Sequence, residues 1–113
     1  MEKEGVTIKG RSYDPIKAEL IRGRLDSIRD EMAEVMMLTS GSPAQTEAMD
    51  YAITLFDYQR EIISVAALMT NHATATEIFI GNVLRTHPLE TIEEGDSFIG
   101  NDPIFSGAMH QND

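Results

Sequence analysis

A long amphipathic stretch that begins at Asp14 constrains the fold of this chain more than any other feature. Asp14 followed by Pro15 predicts a helix start, because aspartate accepts hydrogen bonds from the first free N–H groups and proline suits the first helical position. Apolar residues then recur at the steps of one helical face: Ile16, Leu20, Ile21, Leu25, Ile28, Met32, Val35 and Met36. Charged residues occupy the other face: Arg22, Arg24, Asp26, Arg29, Asp30 and Glu34. The segment from Thr39 to Pro43 contains Gly41 and ends the predicted helix.

The remaining patterns predict strands and a second helix. Two apolar runs, Asp50–Phe56 and Glu61–Leu68, are separated by a four-residue loop, which is the length of a hairpin connection. Residues 73–86 predict a second helix with Ala75, Ile78, Phe79, Val83 and Leu84 facing inward, ended by His87 and Pro88 because the residue before a proline avoids helical dihedrals. Residues 93–96 predict a turn and residues 97–100 a short strand, whereas residues 1–13 are a polar tail or a short extended segment. This order of elements is typical of an α+β domain.

The charge balance narrows the classes of partner. The chain has 113 residues, 19 of them acidic and 9 basic, for a formal net charge of −10, and it has no cysteine. An acidic chain is poorly suited to nucleic acid or to an anionic membrane surface, because both need basic side chains. The first residues lack the apolar core of a signal peptide, and no run approaches a membrane span. We therefore expect a cytoplasmic protein that binds neither nucleic acid nor membrane.

Candidate chemistry is concentrated in the last fourteen residues. His110 and Asp113 could bind one divalent ion, and a mixed imidazole and carboxylate pair favours Mn, Fe or Zn. Two ligands alone hold a metal weakly, and a polar surface tail would show the same spacing. Elsewhere, His72 near the start of the second helix fits a structural histidine, and His87 fits a cation at a helix end.

Read as a whole, the chain resembles the hydantoinase B/oxoprolinase family, which also includes subunits of acetone and acetophenone carboxylases. The resemblance rests on Asp14-Pro15-Ile16, Ser42-Pro43, Asp50-Tyr51, Leu55-Phe56-Asp57 and His72. Its most specific part is the string Gly95-Asp96-Ser97-Phe98-Ile99-Gly100-Asn101-Asp102-Pro103, followed by Gly107, His110 and Asp113. It covers residues 14–113, and the combined string is far more specific than any part of it.

The resemblance implies that residues 14–113 are the N-terminal portion of a larger metal-dependent subunit. It implies that His110 and Asp113 are metal ligands, that a further histidine completes the site, that Asn101 and Asp102 shape the loop or support the ligands, and that His72 faces the substrate. An ATP-binding A-type subunit would phosphorylate the substrate in a hetero-oligomer, and the B-type subunit would complete ring opening of a hydantoin or 5-oxoproline. ATP would thus act only through the partner, in agreement with the lack of a phosphate-binding glycine loop. We expect the isolated 113-residue chain to be inactive.

Departures from the family pattern leave two other functions open. Arg60 stands where the hairpin usually has glycine, and Leu68 and Thr70 replace a histidine and a proline. The loop Gly107-Ala108-Met109-His110-Gln111 differs from the Gly-Gly-Thr-His of hydantoinase-like members and is closer to the carboxylase branch, which favours a ketone as the substrate. The alternative outside catalysis is a small acidic interaction module that keeps the family scaffold and needs no metal.

Overall fold

The computed structural model describes residues 6–8, 11–67 and 70–108. Two short strands, β1 (Val6–Ile8) and β2 (Arg11–Tyr13), pair antiparallel and precede the long helix α1 (Pro15–Ser40). A one-turn helix α2 (Pro43–Thr46) leads to the hairpin of β3 (Ala52–Phe56) and β4 (Ile62–Ala67). Helix α3 (Thr70–Thr86) and a 3₁₀ turn (Leu89–Thr91) follow. The α+β class predicted from the sequence is confirmed.

The ends of α1 follow the signals in the sequence. Oδ1 of Asp14 accepts hydrogen bonds from the N–H groups of Ile16 and Lys17 at 3.0 and 3.3 Å, so it caps the helix as predicted. Gly41 closes the helix in the left-handed region, at φ 64°. Pro43 occupies the first position of α2, where its missing N–H costs nothing. The same serine–proline pair that ends α1 therefore starts another helix, which the sequence reasoning did not predict.

The hairpin of β3 and β4 lies between the two long helices. Thr54 pairs with Val65 and Leu55 with Ser64, so Thr54 and Ser64 point to opposite faces of the sheet. Ser64 contacts α1, and the Thr54 hydroxyl accepts a hydrogen bond from Thr76 of α3 at 3.1 Å. The packing is a helix, a two-stranded sheet and a helix in three layers.

The face of α1 that packs on the sheet is not the predicted one. Asp26 and Arg29, expected on the solvent face, lie half-buried against β4, because they form a hydrogen-bonded cluster with Ser64. Much of the predicted apolar face remains exposed in the described part of the chain: Ile16, Leu20, Ile21, Ile28, Met32 and Val35. We call this surface the outer stripe of α1.

The predicted strand over residues 97–100 is wrong. This segment pairs with no described strand, and a strand needs a neighbouring backbone to complete its hydrogen bonds. Instead the ring of Phe98 packs 5.0 Å from that of His87, while Ile99 is 99% exposed. The preceding turn forms as expected, with the Asp96 N–H bonded to the Glu93 carbonyl and Gly95 at φ 97°.

Little of the described chain forms an apolar core. Ala33 and Val83 are the buried hydrophobic residues among the positions described. The radius of gyration is 17.0 Å, whereas a compact chain of this length has about 13 Å. No helix within the described ranges combines the length and apolarity that crossing a lipid bilayer demands.

Replacing Arg60 by glycine should stabilise the hairpin. Arg60 closes the turn between β3 and β4 at φ 70°, with its N–H bonded to the Asp57 carbonyl at 3.0 Å. A side chain in the left-handed region costs about 1–2 kcal/mol, which glycine avoids at a smaller entropic cost. We expect Arg60→Gly to raise the free energy of unfolding by about 0.5–1 kcal/mol in urea melts followed by circular dichroism. Gln59→Gly, at a neighbouring position with ordinary φ, should give no gain; equal gains in both variants would rule out this explanation.

Candidate functional site

A cleft of 470 Å³ opens between α2, the start of β3, the first half of α3 and the loop over residues 100–108. Six polar residues share its wall with apolar side chains: Ser42, Gln45, Asp50, His72, Thr76 and Ser106. Such a mixture of apolar surface and a few converging polar groups is characteristic of small-molecule sites. This cleft is therefore the candidate functional site in the described part of the chain.

His72 and Asp50 form the only close pair of an imidazole and a carboxylate among the described residues. Nε2 of His72 lies 2.8 Å from Oδ1 of Asp50, with the histidine side chain 18% exposed and the aspartate side chain 43% exposed. Nε2 itself is buried, and no described group makes an aligned hydrogen bond with it. The carboxylate is thus near the nitrogen but away from the direction of an N–H bond, and the nitrogen keeps an unused bonding capacity.

The backbone fixes both members of this pair. His72 is the third residue of α3, so the helical ladder orients it. Asp50 follows Met49, whose φ of 52° is uncommon for a residue with a side chain. The Asp50 N–H is bonded to the carbonyl of Ala44 at 3.0 Å, which ties the residue to α2. Strained backbone next to a cleft is a feature that functional sites often show.

The loop over residues 100–108 forms the outer wall of the cleft and is held by its own aspartate. Oδ1 of Asp102 accepts hydrogen bonds from the N–H groups of Ile104 and Phe105, both at 2.8 Å. The Asp102 carbonyl accepts from the Ser106 N–H at 2.7 Å and from its hydroxyl at 2.5 Å. This arrangement turns the chain back so that the buried Ser106 faces the cleft.

Close packing on α3 fixes the loop in place. A Cβ atom on Gly107 would lie 3.0 Å from Cγ2 of Ile78, and one on Gly100 would lie 2.9 Å from a ring carbon of Phe79. Gly107 also has φ +69°. The side-chain amide of Asn82 donates to the Phe105 carbonyl. The two glycines of the motif therefore allow contact between the loop and the helix.

The residues predicted to be functional fall into two groups. His72 lies in the cleft wall, Asp102 holds the loop, and Asn101 is exposed at the start of that loop. His110 and Asp113 lie outside the described residues. Ala108, the last residue described, lines the cleft that contains His72. Within the described ranges, no group of three or more His, Asp or Glu side chains could hold a metal ion.

Sequence reasoning did not single out three residues of the cleft. Asp50 was matched only to the family's strand, and Thr76 and Ser106 carried no signal of their own. Asp50 and His72 are far apart in sequence, and no local spacing rule relates them. His87, in contrast, has its N–H bonded to the Val83 carbonyl at 2.7 Å, closes α3, and is not among the residues that line the cleft.

Comparison with known proteins identifies the family. The model of the family described as hydantoinase B/oxoprolinase matches residues 14–113. The protein called "Uncharacterized protein MJ0963" of Methanocaldococcus jannaschii is 29% identical over 103 residues, which cover 88% of this chain and 18% of that protein. The chain thus spans less than a fifth of the length of this relative. No solved structure matches the chain significantly. The chain belongs to the hydantoinase B/oxoprolinase family.

Proposed function

We propose that this chain supplies the N-terminal part of a metal-dependent subunit that opens a cyclic amide, of the hydantoin or 5-oxoproline type, in the cytoplasm. An ATP-binding A-type subunit supplies the phosphorylation step, because this sequence has no phosphate-binding glycine loop. The observation that supports the proposal best is the family match over residues 14–113, which includes the string from Gly95 to Asp113.

The structure supports this proposal through the position of that string. Its described part, up to Ala108, forms one wall of the cleft, and His72 stands in another wall. Loops positioned on rigid elements commonly carry binding and catalytic groups. Here the loop is fixed by Asp102 and packed on α3, which would hold the residues that follow it close to the cleft.

The donor groups present fit a divalent ion such as Mn, Zn or Fe. Imidazole and carboxylate side chains suit these ions, and Nε2 of His72 is a buried nitrogen without an aligned partner among the described groups. His110 and Asp113 would hold the ion. When bound, a divalent ion polarises a carbonyl or phosphoryl oxygen. The protein's own contribution is a cleft that orients a small cyclic substrate, with His72 as the candidate catalytic residue in its wall.

Loss of His110 should remove both metal and turnover. The test uses the protein as its gene encodes it, purified with its A-type partner, assayed for ATP-dependent hydrolysis of 5-oxoproline and hydantoins, and analysed for bound metal. We expect His110→Ala and Asp113→Asn each to lower metal content and to reduce turnover by at least about 100-fold, since even residues that only support a ligand are worth about 10–100-fold. Gln111→Ala serves as the neighbouring control. Full metal content and turnover in His110→Ala would refute the assignment.

A ketone carboxylase is the second candidate, favoured by the loop Gly107-Ala108-Met109-His110-Gln111. The same preparation distinguishes the two reactions, because a carboxylase consumes acetone or acetophenone only with bicarbonate and leaves cyclic amides intact. A protein that binds a partner subunit, lacks metal and turns over neither substrate class would instead be an acidic interaction module.

A further inference from the structure

We propose that Asp50 and His72 are themselves ligands of the divalent ion, so that the hairpin and the start of α3 form one side of the metal site. The inference rests on the proposed function for the presence of a metal ion, and it deepens that function by assigning His72 to the ion rather than to the substrate. It also gives a role to Asp50.

The separation of the two donor atoms fits a shared ion. Carboxylate oxygens and imidazole nitrogens lie about 2.0–2.2 Å from zinc, so two of them at a right angle are about 3.0 Å apart. The observed distance from Nε2 of His72 to Oδ1 of Asp50 is 2.8 Å. An ordinary hydrogen bond has a similar length but requires alignment, which this contact lacks. An ion between the two groups would use the bonding capacity that Nε2 has left.

The backbone presents the pair without further rearrangement. His72 belongs to α3, and Asp50 is held by its hydrogen bond to Ala44 and by the positive φ of Met49. Rigid presentation matters because a metal site gains affinity when its ligands are already in place. The strain at Met49 is consistent with a backbone that is fixed for the position of the next side chain.

The surroundings can complete the coordination shell. The cleft has room for several water molecules in its 470 Å³, and the hydroxyl groups of Thr76 and Ser106 line it. Because no third His, Asp or Glu joins the pair within the described ranges, the pair alone would bind an ion weakly. His110 and Asp113 follow Ala108, which lines the same cleft, and would supply the remaining protein ligands.

The test measures metal binding by the full 113-residue chain, without any assay of activity. Titration with Mn²⁺ is followed by electron paramagnetic resonance, which reports free ion, and circular dichroism confirms that each variant is folded. We expect Asp50→Asn and His72→Ala each to weaken Mn²⁺ binding by at least about tenfold. The matched controls are Glu77→Gln, exposed on α3, and His87→Ala at its end; neither should change the affinity. A second measurement needs no substitution: Mn²⁺ well below one equivalent should broaden the imidazole proton resonances of His72 before those of His87.

The outcomes separate this inference from the proposed function. If His110→Ala weakens binding but Asp50→Asn and His72→Ala do not, and the His72 resonances stay sharp, the pair does not ligate the ion and the inference is overturned. If Asp50→Asn and His72→Ala weaken binding while His110→Ala and Asp113→Asn do not, the pair is the site and the assignment of the C-terminal ligands is wrong. No binding of Mn²⁺, Zn²⁺ or Fe²⁺ by the wild-type chain at millimolar ion would also overturn the inference.

Discussion

Arg29→Ala should lower the free energy of unfolding by about 2–3 kcal/mol. The Arg29 guanidinium donates through Nη1 to Oδ1 of Asp26 and Oγ of Ser64, both at 3.0 Å, and to the Val65 carbonyl at 3.3 Å. Its other nitrogens donate to Asp30. A hydrogen bond to a charged group is worth about 1.5–3 kcal/mol, and breaking a buried ion pair costs about 3–5 kcal/mol. The lower part of this range applies because Asp26 is 35% exposed.

The measurement is urea unfolding followed by circular dichroism at the helical band. Arg22→Ala is the matched control, because Arg22 lies on the same helix and pairs with Glu19 three residues away, with both side chains more than 60% exposed. An exposed pair of this kind contributes about 0.2–1 kcal/mol, so this variant should lose far less stability than Arg29→Ala. Equal losses in the two variants would show that the Arg29 cluster contributes no more than an ordinary surface pair.

Gly107→Ala should release the loop over residues 100–108 from α3. The added Cβ would lie 3.0 Å from Cγ2 of Ile78 and 3.3 Å from the carbonyl oxygen of Ala75, and the backbone has φ +69°. The left-handed conformation costs a side chain about 1–2 kcal/mol, and the close contact adds to this cost. We expect the free energy of local opening to fall by about 2 kcal/mol, which accelerates amide exchange at Ser106 by about 30-fold.

Gly41→Ala is the control for the backbone term. Gly41 has a similar φ of +64°, but nothing lies within 4 Å of its added Cβ. The difference between the two variants therefore isolates the contact with Ile78. If exchange at Ser106 in Gly107→Ala stays at the wild-type rate, the loop is held by Asp102 and Asn82 without help from the glycine contact.

Local signals in the sequence predict the elements of this fold well. Asp14 with Pro15 starts α1, Gly41 ends it, and the hairpin and the end of α3 lie within two residues of their predicted positions. These features depend on neighbours along the chain, so their causes can be read from the sequence. The strand predicted over residues 97–100 fails for the same reason, because a strand depends on a partner that local sequence does not specify.

The packing face of α1 shows a second limit of sequence reasoning. Apolar period predicts that one face prefers to be covered, but it does not say what covers it. Asp26 and Arg29 look like solvent-facing charges until Ser64, more than thirty residues away, supplies the third member of their cluster. The site has the same character: His72 can be noticed in the sequence, whereas its contact with Asp50 depends on how the hairpin meets α3.

The outer stripe of α1 has a consequence for how this chain folds. Because so little apolar surface is withdrawn from water, unfolding exposes little more of it, and the heat capacity of the chain changes little on melting. Its stability then varies only gently with temperature and its transitions are broad. Any body that covers the outer stripe adds apolar burial that the chain lacks by itself, so folding and assembly become one linked equilibrium, in which concentration sets how much of the chain is folded.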